Sequence, residues 1–104
     1  MTAKGTTKER SYQELVATIT TVINEWDPYG LIWRGAPKDE FEVEVARIAA
    51  IVSEIKTPEK LAKRISEIFS EFFGPDGFQL EKCRPVASRL FVALQDHGFL
   101  ERLT

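Results

Sequence analysis

The sequence has little of the side-chain chemistry on which many enzymes and metalloproteins depend. Its 104 residues include a single cysteine and a single histidine. One cysteine cannot form an internal disulfide, and a structural zinc site needs several cysteine or histidine ligands. The glycine-rich motifs that hold nucleotide phosphates, G-x-G-x-x-G and G-x-x-x-x-G-K-[ST], are also missing from the sequence. We therefore expect no cofactor and no metal.

Two further absences concern membranes and nucleic acids. No stretch has the ~18 uncharged apolar residues of a membrane span, and residues 1–10, "MTAKGTTKER", lack the apolar run of a secretory signal. The net charge is −2, and neighbouring acids dilute the basic cluster of Lys56, Lys60, Lys63 and Arg64. We expect a cytoplasmic protein that does not enter membranes, and we do not expect it to bind nucleic acid.

What is present is typical of one small helical domain. Apolar residues make up 43% of the chain and charged residues 29%, which is close to the average for globular proteins. Apolar residues recur every three or four positions and never alternate, so the pattern predicts helices and no strands. The fold class is predicted as all-α, a compact four-helix domain with short links and helices at about 11–26, 38–55, 58–73 and 81–97. Residues 1–10 are expected to be a disordered leader to a single domain at 11–104.

Several helix ends have recognisable signals. Ser11 and Glu14 form a capping box at the expected start of the first helix. Thr57 precedes a proline at the expected start of the third helix, and Gly74 follows its last apolar residue. Pro85 fits the fourth helix only in its first turn or at a kink, and the sequence leaves both alternatives open.

The stretch "EWDPYGLI" at residues 25–32 has two possible meanings. Asp27 precedes a proline and should end the first helix, and Asp-Pro-Tyr-Gly fits a type I turn position by position. In this interpretation Trp26 belongs to the core. The alternative is a binding loop with exposed aromatic residues. We favour the structural interpretation.

The helical periodicity also predicts which residues form the core. The first helix contributes Tyr12, Leu15, Val16, Ile19, Val22, Ile23 and Trp26, and the second Phe41, Val45, Ile48, Val52 and Ile55. The third contributes Leu61, Ile65, Ile68, Phe69, Phe72 and Phe73, and the fourth Cys83, Val86, Leu90, Phe91 and Leu94.

The second helix carries apolar residues on its opposite side as well. Val43, Ala46 and Ala50 lie there, and Ile51 flanks them. Either this helix is central, with neighbours on both sides within a monomer, or its outer side is the face of a symmetric dimer. We favour the central helix, and therefore a monomer over a homodimer.

Four segments together carry a resemblance to a known family. "WDPYGLI", "APKDEF", "TPEKLAKRISEIF" and "LEKCRPVASRL" occur in this order. With this combination, the chain resembles small, uncharacterised bacterial helical proteins of the YugE type over roughly residues 22–94. The resemblance implies a compact all-helical fold and implies no activity.

The one cysteine and the one histidine do not form a plausible catalytic pair. Cys83 and His97 are both predicted on the inward face of the fourth helix, about 21 Å apart at a rise of 1.5 Å per residue. A Cys–His dyad needs a separation of about 3 Å. We expect Cys83 to pack as a small hydrophobic residue and His97 to lie at the helix end, so we expect no enzymatic activity.

Acidic residues are concentrated in one part of the chain. Residues 11–55 hold eight acidic and three basic residues, a net charge of −5. Glu40 and Glu44, joined by Asp39 and Asp27, could bind Mg²⁺ or Ca²⁺, but we interpret them as a solvated helix start. Near the second helix the acids lie close in sequence to aromatic residues, which predicts a partner-binding corner made of Tyr29, Trp33, Asp39, Glu40 and Glu42, with Glu44 extending the acidic patch.

From this corner we infer a function. We expect a non-catalytic protein-interaction domain that binds a basic protein partner, in an immunity-like or regulatory role. The alternative is a structural or regulatory subunit that acts through self-association of the second helix. Nothing in the sequence identifies the partner.

Overall fold

Four α-helices, connected by turns and two short 3-10 helices, form the fold in this computed structural model. They are α1 (Ala3–Trp26), α2 (Glu42–Ile51), α3 (Pro58–Phe73) and α4 (Leu80–Asp96). The structure describes the backbone of residues 3–74 and 78–100, and the side chains of residues 11–28, 30–74 and 78–100. Within these ranges there is no strand, so the predicted all-α four-helix domain is confirmed.

The helices pack around one another through a small set of contacts. α3 lies along α4, α1 contacts both α2 and α4, and α2 contacts α3. No helix among the described residues is sufficiently long and apolar to cross a membrane.

α3 begins and ends where the sequence signals predict. The Thr57 hydroxyl accepts a hydrogen bond from the Lys60 backbone N–H at 3.1 Å, which caps the helix. At the other end, Gly74 has a φ of 90°, a conformation that a residue with a Cβ rarely adopts.

α4 contains Pro85 in its second turn, so the proline does not start the helix, and a kink at this residue stays a prediction. The helix begins at Leu80, before the proline, with Gln79 as its N-cap residue. Because proline has no N–H, the carbonyl of Glu81 lacks its usual helical donor. The helix nevertheless continues to Asp96.

Two of the predicted helices have wrong boundaries. α1 continues backward through Ser11 and Glu14 to Ala3, so these two residues lie inside the helix and not at its start. The division into a leader and a domain stays a prediction. α2 is shorter than predicted because residues 38–40 form a turn, and a 3-10 helix, Val52–Glu54, completes its C-terminal end.

The core follows the predicted apolar stripes closely. Every predicted core residue of α2 and α4 is buried, including those in the segments that flank α2. Five aromatic rings contact one another: Phe41, Phe69 and Phe78 are buried in the core, and Trp26 and Phe73 are partly buried and pack against it.

Two residues that were predicted in the core lie at the surface. Tyr12 is 54% exposed and Phe72 is 43% exposed, so neither belongs to the core. Phe78, in contrast, was not predicted and is almost fully buried. It comes from the link between α3 and α4, where no periodicity marks it.

α2 is not a central helix covered on both sides. Its outer face, which we define as Val43, Ala46 and Ala50, is exposed, with Val43 55% accessible. The central-helix expectation is therefore wrong. The preference for a monomer loses this support and remains a prediction.

Candidate partner-binding site

The turn after α1 is built around the carboxylate of Asp27. Its two oxygens accept hydrogen bonds from the backbone N–H groups of Ile32, at 2.8 Å, and Trp33, at 3.0 Å. The Gly30 N–H donates to the Asp27 carbonyl at 2.8 Å, which is the bond expected of the predicted turn. The stretch is therefore a structural turn, as the favoured interpretation held.

Asp27 itself adopts a conformation that the sequence did not predict. Its φ of 47° and ψ of 63° place it in the left-handed helical region, not in the extended region expected before a proline. Aspartate tolerates this region better than most residues with a side chain. The two hydrogen bonds of its carboxylate offset the conformational cost.

The same turn determines the surroundings of two candidate residues. Trp33 is held by its backbone N–H, while its side chain is 86% exposed. The backbone of Tyr29 belongs to a 3-10 helix, Pro28–Gly30, but its side chain lies outside the described part of the structure. Trp33 is thus an available aromatic contact.

A second turn presents the acidic candidates. The Asn24 side-chain amide donates to the Lys38 carbonyl at 2.9 Å and so fastens this turn to α1. Phe41, which is 1% exposed, anchors its far end in the core. Between these two attachments Asp39 and Glu40 are exposed, and Glu42 is exposed in the first turn of α2.

These three acids have no basic partner among the described side chains. The ion pairs of the described residues use other carboxylates: Glu71 with Arg47, Glu67 with Arg64, Glu59 with Arg84, and Glu25 with Arg89. Asp39, Glu40 and Glu42 consequently present negative charge that no ion pair among the described residues neutralises.

A groove of about 290 Å³ runs between α1 and the turn that carries the acids. One wall consists of Val16, Thr20 and Asn24, which are spaced four apart and so lie along one line of α1. We call it the acidic groove; the rest of its lining is Lys38, Asp39, Phe41, Glu42 and Val45.

Asn24 has an unused acceptor. Its Oδ1 atom is buried and has no hydrogen-bond partner within the part of the chain that the structure describes. The orientation of the amide is fixed, since only the nitrogen can donate to the Lys38 carbonyl. An unsatisfied buried acceptor typically costs about 1–3 kcal/mol.

The structure therefore brings together only part of the predicted corner. Asp39 and Glu42 share the acidic groove, and Trp33 lies outside its lining. Glu44, which the sequence placed in the acidic patch, is only 5% exposed and cannot extend it. The α1 wall was missed, although the four-residue spacing of Val16, Thr20 and Asn24 could have indicated it.

The residues tested for catalysis do not line the acidic groove, whereas Asp39, one of the acids considered for metal binding, does. Cys83 is fully buried, and burial raises the pKa of its thiol to about 11. His97 follows the last residue of α4 and is exposed, so the prediction that it faces inward is wrong. Among the described residues, no group of three histidine, cysteine or acidic side chains is placed to hold a metal.

The basic cluster occupies a different surface. Lys60, Lys63 and Arg64 line a groove of about 300 Å³ near the start of α3. Glu54 and Glu67 line the same groove, and Arg64 is paired with Glu67 at 3.2 Å. The dilution of this cluster by acids, expected from the sequence, holds in three dimensions.

Comparison with known proteins identifies a family but no activity. The family model described as a domain of unknown function, DUF1871, matches residues 18–98. Searches of curated proteins and of solved structures found no match. The resemblance to a small uncharacterised family is thereby confirmed.

Proposed function

Because this chain belongs to the DUF1871 family, whose description names no activity, we propose a function from its own surface. The protein is a non-catalytic interaction domain that binds a basic protein partner through Trp33, Asp39, Glu40 and Glu42. The role is immunity-like or regulatory. The carrying observation is that these three carboxylates are exposed and join no ion pair among the described residues.

The negative charge of this surface favours fast association with a basic partner. Exposed, unpaired carboxylates attract a basic partner over a distance and raise its association rate. An exposed tryptophan can supply the large apolar contact that often carries binding energy. Trp33 and the acids come from two turns that both follow α1, and each turn is fixed by hydrogen bonds.

The absence of catalysis in this proposal is supported by the separation of Cys83 from His97 and by the raised pKa of Cys83. Cys83 lies near the start of α4 and His97 just beyond its end, separated by a continuous helix. The raised pKa of Cys83 keeps it a neutral thiol at neutral pH. A cytoplasmic location remains part of the proposal.

Affinity capture from native cells with a charge-reversed bait tests the proposal. We expect the wild-type protein to retain a basic protein in stoichiometric amounts, and the Glu40→Lys/Glu42→Lys variant to lose it. Glu54→Lys/Glu81→Lys is the matched control, because it changes the net charge equally and also reverses one acid in the first turn of a helix. Equal capture by both variants would rule the surface out.

A second candidate function is self-association through the outer face of α2. It is favoured by the exposure of Val43, Ala46 and Ala50, since small residues allow two helices to approach closely. In this case the protein is a structural or regulatory subunit.

A further inference from the structure

We propose that the acidic groove receives an arginine side chain of the partner protein. This inference rests on the proposed function and specifies the chemical group that the surface recognises. It combines three properties of the groove: its apolar lining, its carboxylate rim and the unused acceptor of Asn24.

The size and lining of the groove match a long side chain. Its volume of about 290 Å³ is at the lower limit of pockets that hold small molecules. Phe41 and Val45 are buried beneath it, and Val16 forms part of the α1 wall. Arginine has an apolar stem that packs on such surfaces while its charged end stays near polar groups.

The rim provides the charge that an arginine requires. Asp39 and Glu42 both line the groove, are both exposed and join no ion pair with any side chain that the structure describes. A guanidinium is planar and has five N–H donors, so it can bond to more than one carboxylate at a time. A lysine ammonium is a point charge without this geometry.

Asn24 adds an acceptor, Oδ1, that has no donor among the described residues. Because Oδ1 is shielded from solvent, an arginine N–H reaches it only if the groove widens as the side chain enters. The hydrogen bond from Asn24 to the Lys38 carbonyl joins the two sides of the groove. Changes at the Asn24 amide would therefore report entry of the ligand.

Lys38 is the one cation among the described residues of the lining, and its positive charge opposes the proposal. Its carbonyl is held by Asn24, whereas its side chain is exposed. An arginine must therefore compete with Lys38 for the carboxylates. It follows that Lys38→Ala should bind an arginine ligand more tightly than the wild type.

The experiment is an NMR titration of the full chain with four peptides that differ at one position. The probe is acetyl-Ala-Ala-Arg-Ala-Ala-amide, and the others carry citrulline, norleucine or lysine in place of arginine. We expect the arginine peptide to shift the Asn24 side-chain amide and the backbone amides of Asp39 and Glu42. Its affinity should exceed that of the citrulline peptide by about tenfold, the combined effect of two partly exposed charge pairs.

Two variants identify the groove as the place of binding. Thr20→Phe should block it without changing any charge, and Thr21→Phe is the matched control because Thr21 is exposed beside it and does not line it. Asp39→Asn/Glu42→Gln removes the rim charges with little change in shape, so it keeps the test decisive if Thr20→Phe fails to fold. Loss of binding in either folded groove variant, with binding kept in the control, supports the proposal.

Three results would overturn the proposal. They are the absence of shifts at the groove, equal binding of the norleucine or citrulline peptide, and equal binding of the lysine peptide. Failure of the arginine proposal can be distinguished from failure of the proposed function. If Thr20→Phe still captures the basic partner while Glu40→Lys/Glu42→Lys does not, the acidic surface stands and only the arginine groove is refuted.

Discussion

Asp27 has the least common backbone conformation among the described residues that carry a side chain. It combines a φ of 47° with two hydrogen bonds from its carboxylate to the chain that follows. The residue that ends α1 thus also orders the loop that carries Trp33.

Two substitutions of Asp27 separate the stabilisation by its carboxylate hydrogen bonds from the cost of its positive φ. Asp27→Ala removes both hydrogen bonds and keeps the unfavourable φ, so we expect a loss of about 2–3 kcal/mol in the free energy of unfolding. Asp27→Gly also removes the bonds but adopts this φ freely, and it should be about 1 kcal/mol more stable than the alanine variant. Urea denaturation measures both. Equal stability of the two variants would contradict the left-handed conformation.

The two tryptophans provide a matched pair. Trp26 is half-buried, with its ring edge-on to those of Phe69 and Phe78 at centroid distances of 5.3 and 5.8 Å, whereas Trp33 is exposed. Trp26→Ala should destabilise the protein by about 3–5 kcal/mol. Trp33→Ala should change stability by less than about 0.5 kcal/mol. Thermal unfolding tests this, and comparable losses in both variants would show that Trp33 is also part of the core.

Cys83 should react slowly in the native state. Burial shields the thiol and raises its pKa from 9.0 to about 11, so little thiolate forms near neutral pH. A thiol-reactive dye should label it quickly only in denaturant. Rapid labelling of the folded protein would contradict its burial.

The raised pKa of the Cys83 thiol predicts that the stability of the protein depends on pH. The unfolded state releases the thiol proton at a lower pH than the folded state, so the contribution of Cys83 to stability is fully present below pH 9.0 and is lost as pH rises toward about 11. Cys83→Ala, which has no thiol, is the control for other groups that titrate in this range. Stability curves of the two proteins that stay parallel from pH 8 to 11 would refute this contribution.

At the scale of helices, local sequence signals held at both ends of α3 but failed at the start of α1, where Ser11 and Glu14 lie inside the helix. Thr57, Pro58 and Gly74 determine the ends of α3 through a cap, a favourable first residue and a positive φ. α2 begins later than predicted because the turn before it is held by the Asn24–Lys38 hydrogen bond. That contact joins residues 14 apart in sequence, and no local pattern reveals it.

The candidate site also combines residues that the sequence reveals with contacts that form only in the folded chain. The acids and Trp33 could be selected from the sequence because their types and order are visible there. The groove could not, since its α1 wall meets the acidic turn only in the folded chain. Burial of Glu44 was also missed, because its position in a helix start is equally typical of a solvated acid.

The outer face of α2 gives a prediction at the level of one helix. If it mediates self-association, sedimentation should show a dimeric wild type and a folded, monomeric Ala50→Glu variant. Ala17→Glu, at an exposed position of α1, should leave the dimer intact. A monomeric wild type that tolerates Ala50→Glu would exclude this candidate function.

At the scale of the whole molecule, the charge distribution leaves one acidic surface available for a basic partner. The ion pairs between described residues involve side chains about half exposed and are expected to add little stability. Asp39, Glu40 and Glu42 are outside these pairs, at turns fastened to α1 and to the core. An acidic surface whose carboxylates join no ion pair among the described residues is suited to rapid association with a basic partner.

The most direct test of this function is the association rate of the captured partner, measured with purified proteins at low and at high salt. We predict that Glu40→Lys/Glu42→Lys lowers the rate by about tenfold or more at low salt, that the difference shrinks as salt screens the charges, and that Glu54→Lys/Glu81→Lys has a much smaller effect. Equal association rates for the wild type and Glu40→Lys/Glu42→Lys at low salt would contradict partner binding through the acidic surface.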